Sequence, residues 1–168
     1  YLGMREYDNA KTEFDAAMEI RRRQLPSDSH DIAESHKDLA AYFHTLGKPE
    51  LAEPEIREAL RIQRAGTGER SRDTAECWSG LGGVLRIAGK PEEAEAAQRQ
   101  ALDIRQEIVA NHPSRQARLA VAESLNNLAS TLADQKKLGD AKTSMLEAMK
   151  IREELLGESH PLVCQTKK

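Results

Sequence analysis

The chain has 168 residues, of which 39% are hydrophobic, 32% are charged and 4% are aromatic. Its formal net charge of −3 gives no electrostatic case for binding nucleic acid or an anionic membrane. No apolar run approaches the roughly 18 residues that span a bilayer, and two cysteines, Cys77 and Cys164, are too few for a disulfide framework. We therefore expect a protein of the reducing cytoplasm, with neither nucleic acid nor a membrane as partner. A start without an initiator Met or a signal peptide suggests a piece of a longer protein.

Helices are predicted along the whole chain from the spacing of apolar residues and from turn signals. In chain order they cover 6–24, 31–46, 49–65, 73–88, 91–110, 115–134 and 139–156. A Gly-Lys turn at Gly47 and again at Gly89 separates two helices, and Pro49 or Pro91 opens the second of them, where a missing backbone N–H costs little. The sequence thus predicts pairs of helices joined by short turns.

These helix pairs repeat. The stretch GKPELAEPEIREALRIQR at 47–64 matches GKPEEAEAAQRQALDIRQ at 89–106 in ten of eighteen positions, 42 residues apart. Alanines recur at 10, 52, 94 and 141, and again seven residues later in each unit. A fixed period of this length is typical of stacked helix pairs rather than of one compact core.

The last repeat departs from the pattern. About five residues are inserted between Ile104 and Leu128, within a stretch that keeps its apolar residues on one face, so we expect a helix longer by more than a turn and capped by Ser114. Lys136 stands where the earlier turns have glycine. Gln98 replaces the bulky residue found between the two alanines of other second helices.

The residues Trp78, Leu81 and Gly82, followed by Ala94 and Ala101, resemble the tetratricopeptide pattern. The 42-residue period and the stretches ESLNNLA, ALRI and GESHPLV are similar to the kinesin-light-chain variety. The resemblance implies an all-α protein, a right-handed α-solenoid of antiparallel helix pairs. We expect a single repeat domain over 1–168: a partial unit over 1–30, units over about 31–72, 73–113 and 114–160, and the start of a further unit at 161–168.

No motif points to catalysis, a cofactor or a metal. Nothing resembles a phosphate-binding glycine loop or an acid-base constellation, so we do not expect an enzyme. Three histidines, His30, His112 and His160, recur in equivalent loops, but loops about 10 Å apart cannot place ligands about 2 Å from one ion. A turn-forming role is the favoured interpretation. Cys77 and Trp78 are expected in the core, and the three arginines at 21–23 at a solvated helix end.

A glutamate occupies the same position in three units, at Glu34, Glu76 and Glu123. Asp31 and Asp73 precede two of them by three residues, which favours capping boxes with the aspartate as helix cap. The alternative is an acidic row that would attract a basic ligand.

The resemblance implies that the first helices line a concave face that binds an extended peptide or partner segment. The side opposite Leu39, Leu81 and Leu128 is predicted to line this groove, and it comprises Lys37, Asp38, Ala41, His44, Glu76, Ser79, Gly80, Gly83, Arg86, Glu123, Asn126, Asn127 and Ser130. In relatives, asparagines of the NNLA stretch contact the main chain of bound peptides.

Three glycines in one helix, within GLGGV at 80–84, are costly at about 1 kcal/mol each relative to alanine. Close helix packing accounts for Gly82. We hypothesise that Gly80 and Gly83 floor a pocket walled by Lys37, Arg86 and Asn126, and the alternative is drift at a tolerant surface.

Two other functions remain open from the sequence. The repeats could be a structural spacer or a self-associating array, joined end to end through apolar faces of uncapped terminal repeats. They could also be a regulatory region of a larger, multidomain protein.

Overall fold

The computed structural model describes residues 2–157, and within that range the secondary structure consists of seven helices without a β-strand. The helices are α1 (Leu2–Gln24), α2 (His30–Thr45), α3 (Pro49–Gly66), α4 (Arg72–Ile87), α5 (Pro91–Asn111), α6 (Arg115–Asp134) and α7 (Leu138–Leu156). Apart from the start of α1, which lies four residues earlier than predicted, every boundary falls within one residue of its prediction. His160, Cys164 and the further unit expected at 161–168 lie outside the described residues.

Serine side chains cap the first helix of each pair. The hydroxyl oxygens of Ser29, Ser71 and Ser114 accept hydrogen bonds from backbone N–H groups three residues on. The prediction for Ser114 is confirmed. The predicted caps Asp31 and Asp73 are wrong, because both lie inside the first helical turn, where a negative charge instead complements the helix dipole.

The turns inside the helix pairs share one backbone conformation. Gly47, Gly89 and Lys136 have φ of 65°, 71° and 61°, in the left-handed region. Lys136 therefore occupies a position that favours glycine, and it is the one described residue other than glycine with a positive φ. The left-handed turn conformation is therefore kept in the last pair, even though lysine replaces the glycine of the earlier turns.

Each helix packs mainly against its neighbours in sequence, and the first helices form a layer of their own. Within residues 2–157, the backbone of α4 lies close to those of α2 and α6, whereas the backbones of the second helices α3, α5 and α7 do not lie close to one another. Helices that are closer together on one side of an array make that side the inner one. The array is therefore an α-solenoid whose concave face is formed by α2, α4 and α6.

The core follows the repeat. Leu39, Leu81 and Leu128 are buried as predicted, and the alanines at 52, 59, 94 and 101 have no exposed surface. Cys77 is fully buried beside Trp78, which packs at the edge of the same cluster. Burial raises the pKa of the Cys77 thiol to about 12. The interpretation of Cys77 as a packed residue is confirmed.

The inserted residues lengthen helices rather than forming a loop. Helix α6 has 20 residues, against 16 in α2 and in α4, so the predicted extension by more than a turn is confirmed. Helix α5 also gains three residues over α3. The ends of α5 and α6 that the loop between them joins therefore extend further than the corresponding ends of α3 and α4.

Adjacent pairs are also joined on the outside by a repeated ionic contact, which we call the outer clasp. In the first clasp, Glu53 of α3 binds Arg57 and, at 2.8 Å, the Nζ of Lys90 in the next turn. In the second, Glu95 of α5 binds Arg99 and, at 2.7 Å, the Nζ of Lys137. Each clasp links a second helix to the turn of the following pair.

Across residues 2–157, none of the helices combines the length and the apolar character that a bilayer crossing requires.

Candidate functional site

A cavity of about 560 Å³ opens on the concave face between α2, α4 and α6, and we call it the groove cavity. Most of the predicted site residues line it, namely Lys37, Ala41, His44, Glu76, Ser79, Gly80, Gly83, Arg86, Glu123, Asn127 and Ser130. The structure thus brings together side chains from three helices that are up to 93 residues apart in sequence, from Lys37 to Ser130.

Two predicted site residues do not line this cavity. Asp38 is exposed on α2, and Asn126 is half-buried one position before Asn127 on α6. Neighbouring residues on a helix differ by about 100° in direction, and the rotation of α6 turns Asn127 rather than Asn126 into the cavity. The wall assigned to Asn126 is formed by Asn127, whose Nδ2 donates to the Ser79 Oγ at 3.2 Å.

The three glycines of α4 have different surroundings. A Cβ on Gly82 would lie 2.4 Å from the Nε2 of Gln98, so close helix packing requires glycine there, as predicted. A Cβ on Gly80 would lie 3.1 Å from the Cδ1 of Ile56, a tight contact. A Cβ on Gly83 would meet only His44, at 3.6 Å, so the open depression lies at Gly83.

Gln98 lies at the bottom of the groove cavity and was not among the predicted site residues. It is 2% exposed, and its Nε2 donates to the backbone carbonyl of Ser79 at 3.1 Å. Its Oε1 is buried without a hydrogen-bond partner among the described residues. A buried acceptor without a donor costs about 1–3 kcal/mol, so this oxygen favours a ligand that supplies one. The only sequence signal was a polar residue in an apolar position of the repeat.

Lys37 sits between two carboxylates. Its Nζ donates to Glu34 and to Glu76, each at 2.9 Å, which joins α2 to α4. Burial alone would lower the pKa of Lys37, but these hydrogen bonds and the two negative charges raise it above its ordinary value. Glu34 and Glu76 therefore hold Lys37 rather than reaching back to a helix cap, which corrects the capping-box prediction.

Two arginines complete the charged rim. Arg86 donates to Asp134 at 3.0 Å and so connects α4 with α6. Arg105 has a side chain that is only 7% exposed, and its Nη1 donates to the Ala120 carbonyl and the Ser124 hydroxyl. Glu123 lies 3.8 Å from Arg105, beyond hydrogen-bonding distance. The sequence did not identify Arg105 because it lies on a second helix, outside the layer expected to line the groove.

Within the described residues, no group of three or more His, Cys, Asp and Glu side chains could hold a metal ion.

The lining of the groove cavity offers hydrogen-bonding side chains, a small apolar floor and paired charges. Such a surface can bind a chain segment through its main chain and at least one side chain.

Comparison with protein families gives two matches, both described as tetratricopeptide repeat. One family model matches residues 1–65 and 50–107, and another matches 121–162. Together they cover more than half of the chain. No curated protein matches the sequence significantly.

Two solved structures are similar in fold. BtubC (BKLC) from P. vanneervenii has 24% sequence identity and a TM-score of 0.80, over 93% of this chain and 60% of BtubC. The apo form of RapI has 18% identity and a TM-score of 0.78, over 98% of this chain and 56% of RapI. The chain thus spans about three fifths of the length of these proteins. Their similarity confirms the predicted right-handed α-solenoid.

Proposed function

Because the chain belongs to the tetratricopeptide repeat family and shares the fold of the kinesin-light-chain-like protein BtubC, we propose that its concave face binds an extended segment of a partner protein. A role in protein–protein interaction is general for solenoids with this kind of concave surface. The observation that carries the proposal is the groove cavity, in which residues from α2, α4 and α6 face one space.

The groove offers contacts for both parts of a peptide. Asn127 and Ser79 present an amide and a hydroxyl, groups that can read a peptide bond without regard to side chain. The depression at Gly83 receives one ligand side chain above the apolar floor of Ile56 and Val84. A side chain that ends in an N–H or O–H donor would also satisfy the Oε1 of Gln98.

The size of the groove sets the length of the ligand. Three helices spaced about 10 Å apart give a groove of roughly 20–30 Å, which accommodates about six to nine extended residues. Such a segment is disordered when free and must be ordered on binding. Micromolar affinity is therefore the expected range.

We also propose that the role is one of binding rather than catalysis. Three of the five charged residues on the predicted face, Lys37, Glu76 and Arg86, are engaged in ion pairs that hold helices together. The whole chain is interpreted as one repeat domain, placed in the reducing cytoplasm because of its low cysteine content. Nucleic acid is not expected as a partner, since the chain carries a net charge of −3.

A second candidate is the self-associating array. Leu138 and Leu146 of α7 are large apolar side chains that are exposed to solvent. A second copy of the chain, or further repeats, could cover them. Sedimentation of wild type and of a Leu138→Lys/Leu146→Lys variant tests this function: assembly of the wild type that the variant lacks would support it, and a monomer at all concentrations would exclude it.

The primary test is a random-peptide display selection, followed by affinity measurement on the selected peptide. Gly83→Leu fills the depression and should weaken that affinity by about tenfold or more, since it displaces a buried ligand side chain. Ala96→Leu adds the same side chain at an exposed position of α5, outside the groove cavity, and should leave affinity unchanged.

Circular dichroism establishes that both variants keep their helices. Unchanged affinity in a folded Gly83→Leu variant would contradict the groove proposal. So would a selection that yields no consensus peptide.

A further inference from the structure

A second cavity, of about 440 Å³, lies beside the lengthened ends of α5 and α6, near the loop that joins these helices. We call it the arginine cavity, because Arg72 of α4, Arg105 of α5 and Arg152 of α7 all line it. Its volume is in the range of small-ligand sites. It adjoins the groove cavity and shares Glu76, Arg105 and Glu123 with it, but the depression at Gly83 is not part of it.

The lining of the arginine cavity combines charges of both signs. The three arginines stand beside two carboxylates, Glu76 and Glu123. Glu76 is also already bound by Lys37 of α2 at 2.9 Å, which weakens its effect on the arginines.

Arg105 supplies the strongest indication of a ligand. Its guanidinium is almost fully buried, yet among the described residues both of its hydrogen bonds run through Nη1, to a carbonyl and a hydroxyl that carry no charge. Glu123 forms an ion pair with this Nη1 at 3.8 Å, a distance too long for a hydrogen bond. A buried cation favours a hydrogen-bonded counter-charge, and the Nε and Nη2 groups of Arg105 have donors to offer one.

Part of the lining of the cavity is apolar. It is formed by Ile108 of α5 and by Leu119 and Ala120 of α6. A ligand that fills the space must therefore present both an apolar surface and an anionic group. A single negative charge fits better than two, since Glu76 and Glu123 would repel a dianion such as phosphate.

We propose that the arginine cavity binds a carboxylate attached to an apolar group. Arg105 holds the carboxylate, Arg72 adds a positive charge beside it, and the apolar group packs on Ile108, Leu119 and Ala120. Arginine suits this role because its planar donors match the two oxygens of a carboxylate. The ligand can be a small carboxylic acid or the last residue of a partner chain, and the proposal does not rest on peptide binding in the groove.

The test is a titration of the ¹⁵N-labelled chain with 4-phenylbutyrate, followed by amide chemical shifts, with the neutral 4-phenylbutyramide as matched probe. We expect saturable shifts at Ile108, Leu119 and Ala120 with the acid, and weaker binding of the amide. Equal affinity for the two probes, or no saturable shift with the acid, would overturn the proposal.

Charge variants give changes of opposite sign. Arg72→Gln should lower the affinity for 4-phenylbutyrate by about two- to fivefold, and Glu123→Gln should raise this affinity by a similar factor. Changes of this size are expected for single, partly exposed charges. Arg115→Gln removes a positive charge from the first turn of α6 without altering the lining, and should have no effect. Equal effects of Arg72→Gln and Arg115→Gln would show that the site is not the arginine cavity.

Arg105→Gln should abolish binding of 4-phenylbutyrate. If this buried substitution unfolds the chain, the effects of Arg72→Gln and Glu123→Gln still test the proposal.

The source of the ligand is identified by comparing acetyl-Gly-Gly-Leu, as free acid and as C-terminal amide, with 4-methylvalerate. Tighter binding of the free-acid peptide indicates the end of a partner chain, and tighter binding of 4-methylvalerate indicates a small acid. Gly83→Leu should leave these affinities unchanged, which separates this site from the groove.

Discussion

The α2–α3 and α4–α5 pairs have the same ends and different centres. Both begin at a serine cap, Ser29 or Ser71, and both turn at a glycine with positive φ followed by a lysine and a proline. At the centre, Ala40 and Ile56 of the first pair correspond to Gly82 and Gln98 of the second. The repeated ends specify where helices start, stop and turn.

The centres decide what the concave face can do. Where the first pair presents Asp38 and Ala41, the second presents Gly80 and Gly83, and the groove cavity opens there. Gly82 makes room for a polar side chain, Gln98, that reaches the bottom of this cavity. The same helix ends and turns can therefore support different residues at the base of the concave face, provided that the residues of the two facing helices change together.

The largest expected effect comes from a substitution that disrupts the packing of Gly82 against Gln98. Gly82→Ala would place a Cβ 2.4 Å from the Nε2 of the buried Gln98, and we expect a loss of about 2 kcal/mol in the free energy of unfolding. Chemical denaturation measures it. The double variant Gly82→Ala/Gln98→Ile imports the alanine and isoleucine of the first pair and should recover most of the loss. Additive effects would show that the two positions are not coupled.

A smaller effect concerns the outer clasps. Each of the two compared pairs contributes one, through Glu53 of α3 and Glu95 of α5. Hydrogen bonds from Lys137, Arg99 and Gln135 lower the pKa of Glu95 to about 2. The native carboxylate is therefore harder to protonate than the unfolded one. The clasp stabilises fully above about pH 4.5, and this contribution is lost as the pH falls towards 2.

Glu95→Gln should lower the free energy of unfolding by about 1 kcal/mol at pH 7, and the difference from wild type should shrink between pH 4.5 and 2. Denaturant unfolding across this range is the measurement. Glu53→Gln, in the equivalent clasp, should act in the same direction, because Lys90 and Arg57 lower the pKa of Glu53. A Glu95→Gln effect independent of pH would contradict this assignment.

The smallest effect is expected from a substitution that places glycine in the turn of the last pair, α6–α7, as in the other two pairs. Lys136→Gly places glycine at φ 61° and should raise the free energy of unfolding by about 0.5–1 kcal/mol, because glycine adopts this conformation without strain. Thermal unfolding of the variant beside wild type checks it. Lys136→Ala retains a Cβ and serves as control, and an equal gain in both variants would contradict a backbone origin.

Much of the fold could be predicted because it depends on local signals that recur. The turn glycines, the prolines and the alanine spacing fixed six of the seven helices to within one residue. The caps were misassigned because an aspartate and a serine both favour helix starts, and only geometry shows that Ser29 and Ser71 accept the hydrogen bonds.

The site was predictable only in part. Helical spacing identified the residues that α2, α4 and α6 turn to the concave face, but it could not choose between Asn126 and Asn127, which depends on the rotation of α6 in the array. Arg105 and Gln98 were missed for a different reason. They reach the cavities from α5, and a pattern of first helices contains no information about how deep a second-helix side chain extends.

The outer clasps affect how the array comes apart. Each clasp connects only consecutive units, so the free energy of the solenoid is close to a sum of unit terms and nearest-neighbour coupling terms. Removing one clasp weakens a single coupling term and leaves the other in place. Unfolding would then lose its all-or-none character at that boundary, and the chain would melt as two blocks that meet where the carboxylate was removed.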